Sequence, residues 1–86
     1  MKFIFSPEFK KNYKKLPRNL RKRVDKQLYL LEKDFNYPSL RVKKMAGFKN
    51  IWEARVTSGY RMCFFFSKET IFMLSVGPHD KGLGKE

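Results

Sequence analysis

Apolar residues recur along this chain with two different periods, and the change of period divides it into a helical first half and an extended second half. The opening Lys2–Phe5 is short and mainly apolar and reads as a strand. Ser6-Pro7-Glu8 then carries the marks of a helix start. The hydroxyl can accept from an unpaired backbone N–H, the proline gives up no helical bond in the first turn, and the acid sits at the positive end of the helix dipole. Phe9, Tyr13 and Leu16 follow at helical spacing, with lysines on the other faces. Pro17 stops this helix and opens a second, in which Leu20, Val24, Leu28, Leu31 and Phe35 make one stripe at steps of four, four, three and four. Arg18, Arg21, Lys22, Arg23 and Lys26 crowd its first half, so the pair is predicted as a hairpin with an apolar inner face and a basic outer one.

Asn36-Tyr37-Pro38-Ser39 ends the helical pattern, because a proline pushes the residue before it into extended conformations. Residues 39–49 form a polar, basic connector. From Trp52 the period becomes two: Trp52, Ala54 and Val56 alternate with Glu53 and Arg55, as in a strand with one buried face. Thr57-Ser58-Gly59 is a turn, residues 60–66 a second strand, Ser67-Lys68-Glu69 another turn, and residues 70–76 a third strand ending at Gly77-Pro78-His79-Asp80. Residues 81–86 read as a mobile tail rich in glycine and lysine. The expectation is a single α+β domain over residues 1–86: an N-terminal strand, a helical hairpin, then a three-stranded antiparallel meander. The helices lie on one face of the sheet, and the other face is open.

Side-chain alternation sorts the strand residues between those faces. Tyr60, Met62, Phe64 and Phe66 are predicted to meet the helices, together with Trp52, Ala54, Val56, Phe72, Leu74 and Val76. Glu53, Arg55, Arg61, Cys63, Phe65, Ile71, Met73 and Ser75 are left outward, with His79 just beyond. In matching registers Glu53, Arg55, Arg61 and His79 converge on one surface beside Lys43 and Lys44, with Asp80 as a second carboxylate. Guanidinium forks match pairs of phosphate oxygens, and an imidazole titrates near neutral pH. A plainer reading stays open at each position: Glu53 and Arg55 as an ordinary surface pair, His79 as structural, and the hairpin cations as a solvated face. Phe65, the outward member of three consecutive phenylalanines, could stack on a base or meet a protein partner.

Charge narrows the choice of partner. Twenty Lys and Arg against eight Asp and Glu leave a net charge of +12 on 86 residues. Such a field draws polyanions, and it favours RNA, DNA or an acidic protein over a membrane surface. Cys63 is the only cysteine, so a disulfide scaffold is excluded; it reads as a small buried hydrophobe in a reducing compartment. The opening apolar run is too short for a signal peptide, and the later apolar stretches fall well short of the roughly 20 residues that cross a bilayer. A soluble cytoplasmic protein is expected.

Four phrases in order carry a resemblance. Pro38-Ser39-Leu40-Arg41-Val42-Lys43-Lys44-Met45-Ala46-Gly47, Ile51-Trp52-Glu53-Ala54-Arg55-Val56, Gly59-Tyr60-Arg61-Met62 and Ser75-Val76-Gly77-Pro78-His79-Asp80 resemble the RelE/ParE superfamily of type II toxins. Ser6-Pro7, Phe9 and the Leu16-Pro17 link match as well, so the resemblance spans nearly the whole chain. It implies a two-layer RelE/ParE-like fold. For RelE-type members it implies cleavage of messenger RNA in the ribosome by attack of a 2′-hydroxyl on the adjacent phosphate, with no metal and no cofactor. It implies that Arg61 steadies the phosphate charge and that His79 stands at the proton-transfer position. The catalytic set is then His79, Arg61, Arg55 and Glu53, and the RNA-binding set Lys43, Lys44, Phe65 and Asp80.

The chain also departs from the family pattern. The strand lysines of RelE are missing at Trp52 and Ala54, where Glu53 and Arg55 supply the charge; no tyrosine follows the last strand; and Pro78 replaces the first histidine of the His-His-Asp phrase. The same resemblance leaves two alternatives, a ParE-like inhibitor of DNA gyrase, which needs no catalytic histidine, and a non-catalytic relative that binds RNA or an antitoxin. Each implies an acidic antitoxin laid over the hairpin or the open sheet face. The nuclease reading adds the ribosome and its messenger RNA as partners.

Overall fold

The structure is a computed structural model and describes residues 2–78. Strand β1 (Lys2–Phe5) leads into helices α1 (Pro7–Lys15) and α2 (Arg18–Lys33). A short 3-10 turn (Pro38–Leu40), β2 (Lys43–Lys44), β3 (Ile51–Thr57), β4 (Tyr60–Ser67) and β5 (Thr70–Pro78) follow. All strands join one five-stranded sheet in the order β1-β5-β4-β3-β2. Neighbours run antiparallel except β1, which lies parallel to β5. The α+β order predicted from the sequence holds. Strand β2 is an addition, formed where the basic connector pairs Lys43 with Glu53 and Lys44 with Trp52.

Ser6 fixes how the helical layer meets the sheet. Its Oγ accepts from the Phe9 N–H at 2.9 Å and so caps α1, and the same hydroxyl donates to the Leu74 carbonyl of β5 at 2.9 Å. Further along α1, Asn12 Oδ1 accepts from the Val76 N–H at 3.1 Å. Helix α1 ends at Leu16, whose carbonyl accepts from Arg21 Nη1 at 3.1 Å across the Pro17 link. Tyr13 closes the hairpin by donating its hydroxyl to Asp25 at 2.8 Å.

The core lies between this hairpin and one sheet face. Phe9, Leu16, Val24 and Leu31 from the helices pack with Ala54, Val56, Met62 and Phe64 from β3 and β4. Helix α2 stops at Lys33 rather than continuing through Phe35, yet Phe35 still serves the core, edge-on to Phe64 and Phe66 at 5.8 and 4.9 Å between ring centres.

Two expectations about the sheet are corrected. In β5 the predicted phase is inverted over its first half: Ile71 and Met73 are buried against the helices, and Phe72 turns to the other face. The cause is a bulge. Phe64 pairs with Met73 but Cys63 pairs with Ser75, so Leu74 is an extra residue and the alternation resets there. Val76 and Ser75 consequently keep their predicted sides. The second correction is that the far face is partly covered. Met45, just after β2, is buried with its Sδ 3.7 Å from Cys63 Sγ, which makes Cys63 the small buried side chain the sequence suggested.

Candidate functional site

The face of the sheet turned from the helices has a charged end and an apolar end. At the charged end, β3 and β4 pair Arg55 with Arg61 and Glu53 with Cys63, while β2 brings Lys43 opposite Glu53. Glu53 is the centre of this group. It is only 7% exposed, and its Oε2 lies 3.6 Å from both Lys43 Nζ and Arg61 Nε. A carboxylate so nearly removed from water is tolerable because cations flank it on two sides.

Arg61 is held on its other side by the β3–β4 turn. Its Nη1 donates to the carbonyls of Thr57 at 2.9 Å, Tyr60 at 3.3 Å and Ser58 at 3.4 Å. The guanidinium is thus locked between a turn and a buried carboxylate before any ligand arrives. Arg55 differs: its guanidinium makes no hydrogen bond or ion pair among the described residues. Beside Arg61 on β5 stands Gly77, where an added Cβ would meet nothing within 4 Å among the described residues. Two cations flank one carboxylate and a third, Arg55, stands opposite Arg61 on the same face, so the balance of charge suits an anion with several oxygens.

The structure brings Lys43, Glu53, Arg55 and Arg61 together. Lys44 is next in sequence but pairs with Trp52, so it belongs to the opposite side of the strand. Phe65 shares the face with Arg61 but lies four residues along β4, about 13 Å away at strand spacing. His79 and Asp80 lie outside the described residues; β5 is described as far as Pro78, opposite Tyr60.

Around Phe65 is an apolar row that sequence alternation had missed. Phe65 pairs with Ile51 on one side and Phe72 on the other, and Ile4 of β1 pairs with Phe72. The Phe65 and Phe72 rings are 5.6 Å apart between centres, and Ile4 is 45% exposed. Only the bulge at Leu74 puts Phe72 there, and nothing in a period-two pattern announces a bulge.

A second feature lies on the helical side. A groove of about 400 Å³ is lined by Phe5, Phe9, Tyr13 and Leu28, with Lys10, Lys14 and Asp25 also on its wall. Among the described residues, no helix is long and apolar enough to cross a membrane, and no three metal-ligating side chains come together.

Several solved structures share this architecture. The chain is 24% identical to a chain of the RelB–RelE antitoxin–toxin complex from Methanococcus jannaschii, with a TM-score of 0.76 over 90% of this chain and 91% of that one. It matches the YoeB/ParE toxin from Agrobacterium tumefaciens at 12% identity and a TM-score of 0.79, over 92% and 99% of the two chains. It matches the isolated RelE toxin of E. coli at 22% identity and a TM-score of 0.72, over 95% and 87%. No family model and no curated protein matches it. The fold is that of the RelE-like toxins.

Proposed function

We propose that this chain is the toxin of a type II toxin–antitoxin pair and that it cleaves messenger RNA held in the ribosome. The observation that carries this reading is the placement of Arg55 opposite Arg61, with Lys43 beside them, on the helix-free face of a RelE-like toxin fold. Two guanidinium groups directly opposed across strands repel in the absence of ligand. A phosphodiester between them supplies the missing negative charge and accepts paired hydrogen bonds.

In the proposed reaction the 2′-oxygen of one nucleotide attacks the adjacent phosphorus and the P–O5′ bond breaks. The products are a 2′,3′-cyclic phosphate and a free 5′-hydroxyl. A base takes the 2′-hydroxyl proton and an acid protonates the departing 5′-oxygen. His79 is assigned to proton transfer on the resemblance of the Ser75-Val76-Gly77-Pro78-His79-Asp80 phrase, with Asp80 kept in the RNA-binding set on the same ground. Arg55 and Arg61 stabilise the charge that builds on the phosphorane. Buried Glu53 orients Lys43 and Arg61. Lys43 holds the flanking backbone and Phe65 offers a ring to a neighbouring base, while Lys44, on the opposite side of the strand, stays in the RNA-binding set on the resemblance alone.

An acidic antitoxin is the proposed protein partner. The net charge of +12 favours it electrostatically, and the groove with Lys10 and Lys14 on its wall fits an acidic segment bearing an apolar anchor.

The test is to map transcript 5′ ends after brief induction of the chain and of its His79→Ala and Arg61→Ala variants. New 5′-hydroxyl ends within coding regions are expected for the parent and a sharp loss of them for both folded variants. Unchanged growth arrest in both variants overturns the nuclease reading. Intact transcripts with accumulated cleaved DNA turn it to gyrase inhibition.

A further inference from the structure

Strand β2 covers only Trp52 and Glu53 of β3, so beyond it the edge of β3 has no strand beside it among the described residues. Helix α2 closes that edge with side chains. Gln27 Nε2 donates to the Arg55 carbonyl at 2.8 Å and to the Ser39 carbonyl at 3.3 Å, and Arg23 Nε donates to the Val56 carbonyl at 3.0 Å. The β3–β4 register also breaks here, since Arg55 pairs with Arg61 but Thr57 pairs with Tyr60, leaving Val56 as the extra residue. A bulge can aim its neighbouring side chains in more than one direction unless something holds its backbone.

Gln27 is an unexpected residue for this place. It is 1% exposed, within the apolar stripe between Val24 and Leu31, and its Oε1 has no hydrogen-bond partner among the described residues. A buried orphan acceptor is unfavourable, and an apolar side chain of the same size would avoid it. The amide therefore needs a compensating role, and its N–H groups show one. They join the carbonyl under Arg55 to that of Ser39, four residues before Lys43.

We propose that Gln27 is a positioning residue for the phosphate site: from the back of the sheet it fixes the backbone that carries Arg55 relative to the connector that carries Lys43. Arg55 and Lys43 then keep one spacing whether or not RNA is bound. This rests on the reading that Lys43, Arg55 and Arg61 bind phosphate.

The test is a cycle of Gln27→Met, Arg55→Ala and the double variant, binding a short single-stranded 2′-O-methyl RNA, with thermal unfolding run alongside. Arg55→Ala is expected to lower affinity about tenfold, the scale of one charge-assisted contact. Gln27→Met, folded at the assay temperature, is expected to give a loss of similar size and a salt dependence shallower by about 0.7, the value of one phosphate contact on a single strand. In the Arg55→Ala background the same Gln27 change should alter affinity by less than about twofold, because non-additivity marks residues that act through one another. Gln27→Leu, which completes the apolar stripe, takes its place where the methionine variant folds poorly. Full affinity in the Gln27 variants, or an equal loss in both backgrounds, overturns the positioning role alone. Unchanged affinity in Arg55→Ala overturns the phosphate site and the inference with it.

Discussion

Arg55 and Arg61 stand directly opposite each other on adjacent antiparallel strands, one with its guanidinium tied down and the other with no partner among the described residues. Arg61 belongs to the fold as much as to the site, because it closes the turn and balances Glu53. Arg55 does neither. The cost of the pair therefore falls on Arg55, and the first prediction follows from that asymmetry.

Arg55→Thr should leave the protein as stable as the parent or more so, by up to about 1 kcal/mol, since it removes a like-charge cross-strand pair and adds a good strand residue. Affinity for single-stranded RNA should fall in the same variant. Thermal unfolding beside RNA titration checks both halves, and a loss of stability would show that Arg55 is structural.

Glu53→Gln should act the other way. It keeps the shape of a buried side chain but leaves Lys43 and Arg61 without their counter-charge, at an expected cost of about 1–3 kcal/mol. Chemical denaturation measures this. An unchanged midpoint would mean that Arg61 needs only its turn carbonyls.

Ser6→Ala should cost about 1–2 kcal/mol, toward the upper end for a helix cap. The same substitution strips the Leu74 carbonyl of its hydroxyl donor at the bulge that sets the phase of β5. Hydrogen exchange should therefore rise both at Phe9 and along β5. Exchange raised at the helix alone would separate the cap from the bulge.

Tyr13 carries the pH prediction. Its hydrogen bond to Asp25 raises its pKa above the ordinary tyrosine value, with burial and the nearby carboxylate adding in the same direction. The folded protein holds that proton more tightly than the unfolded chain does. The contribution is complete below about pH 10 and lost as pH rises through the raised value. Tyr13→Phe should remove that part of the alkaline loss of stability, as unfolding followed through the alkaline range will show.

Much of the architecture was readable from local pattern. The Ser6-Pro7 start, the break at Pro17 and the switch to period two at Trp52 each rest on chemistry within a few residues, and each matches an element boundary. The inward set of β4 was readable for the same reason. What escaped depends on partners distant in sequence. The Leu74 bulge takes a hydrogen bond from Ser6, 68 positions away, and the inversion of Ile71, Phe72 and Met73 goes with that bulge. Burial of Glu53 was equally hidden, because alternation placed it outward and its neighbours Lys43 of β2 and Arg61 of β4 are distant in sequence. Of the candidate site, Arg55, Arg61, Glu53 and Lys43 were named from alternation and resemblance. Gln27 was not, since a polar residue inside an apolar stripe gives no sign of which carbonyls it will meet.

The two margins of the sheet are unequal in a way that limits self-association. At one margin a two-residue strand and the side chains of Gln27 and Arg23 occupy the hydrogen-bonding positions. At the other, β1 ends the sheet with its outer row of amides and carbonyls unmatched by any strand among the described residues. Among the described residues β1 therefore offers the longer open row to an extended chain, and two copies pairing there antiparallel would use up that row on both, leaving no equivalent β1 edge for a third.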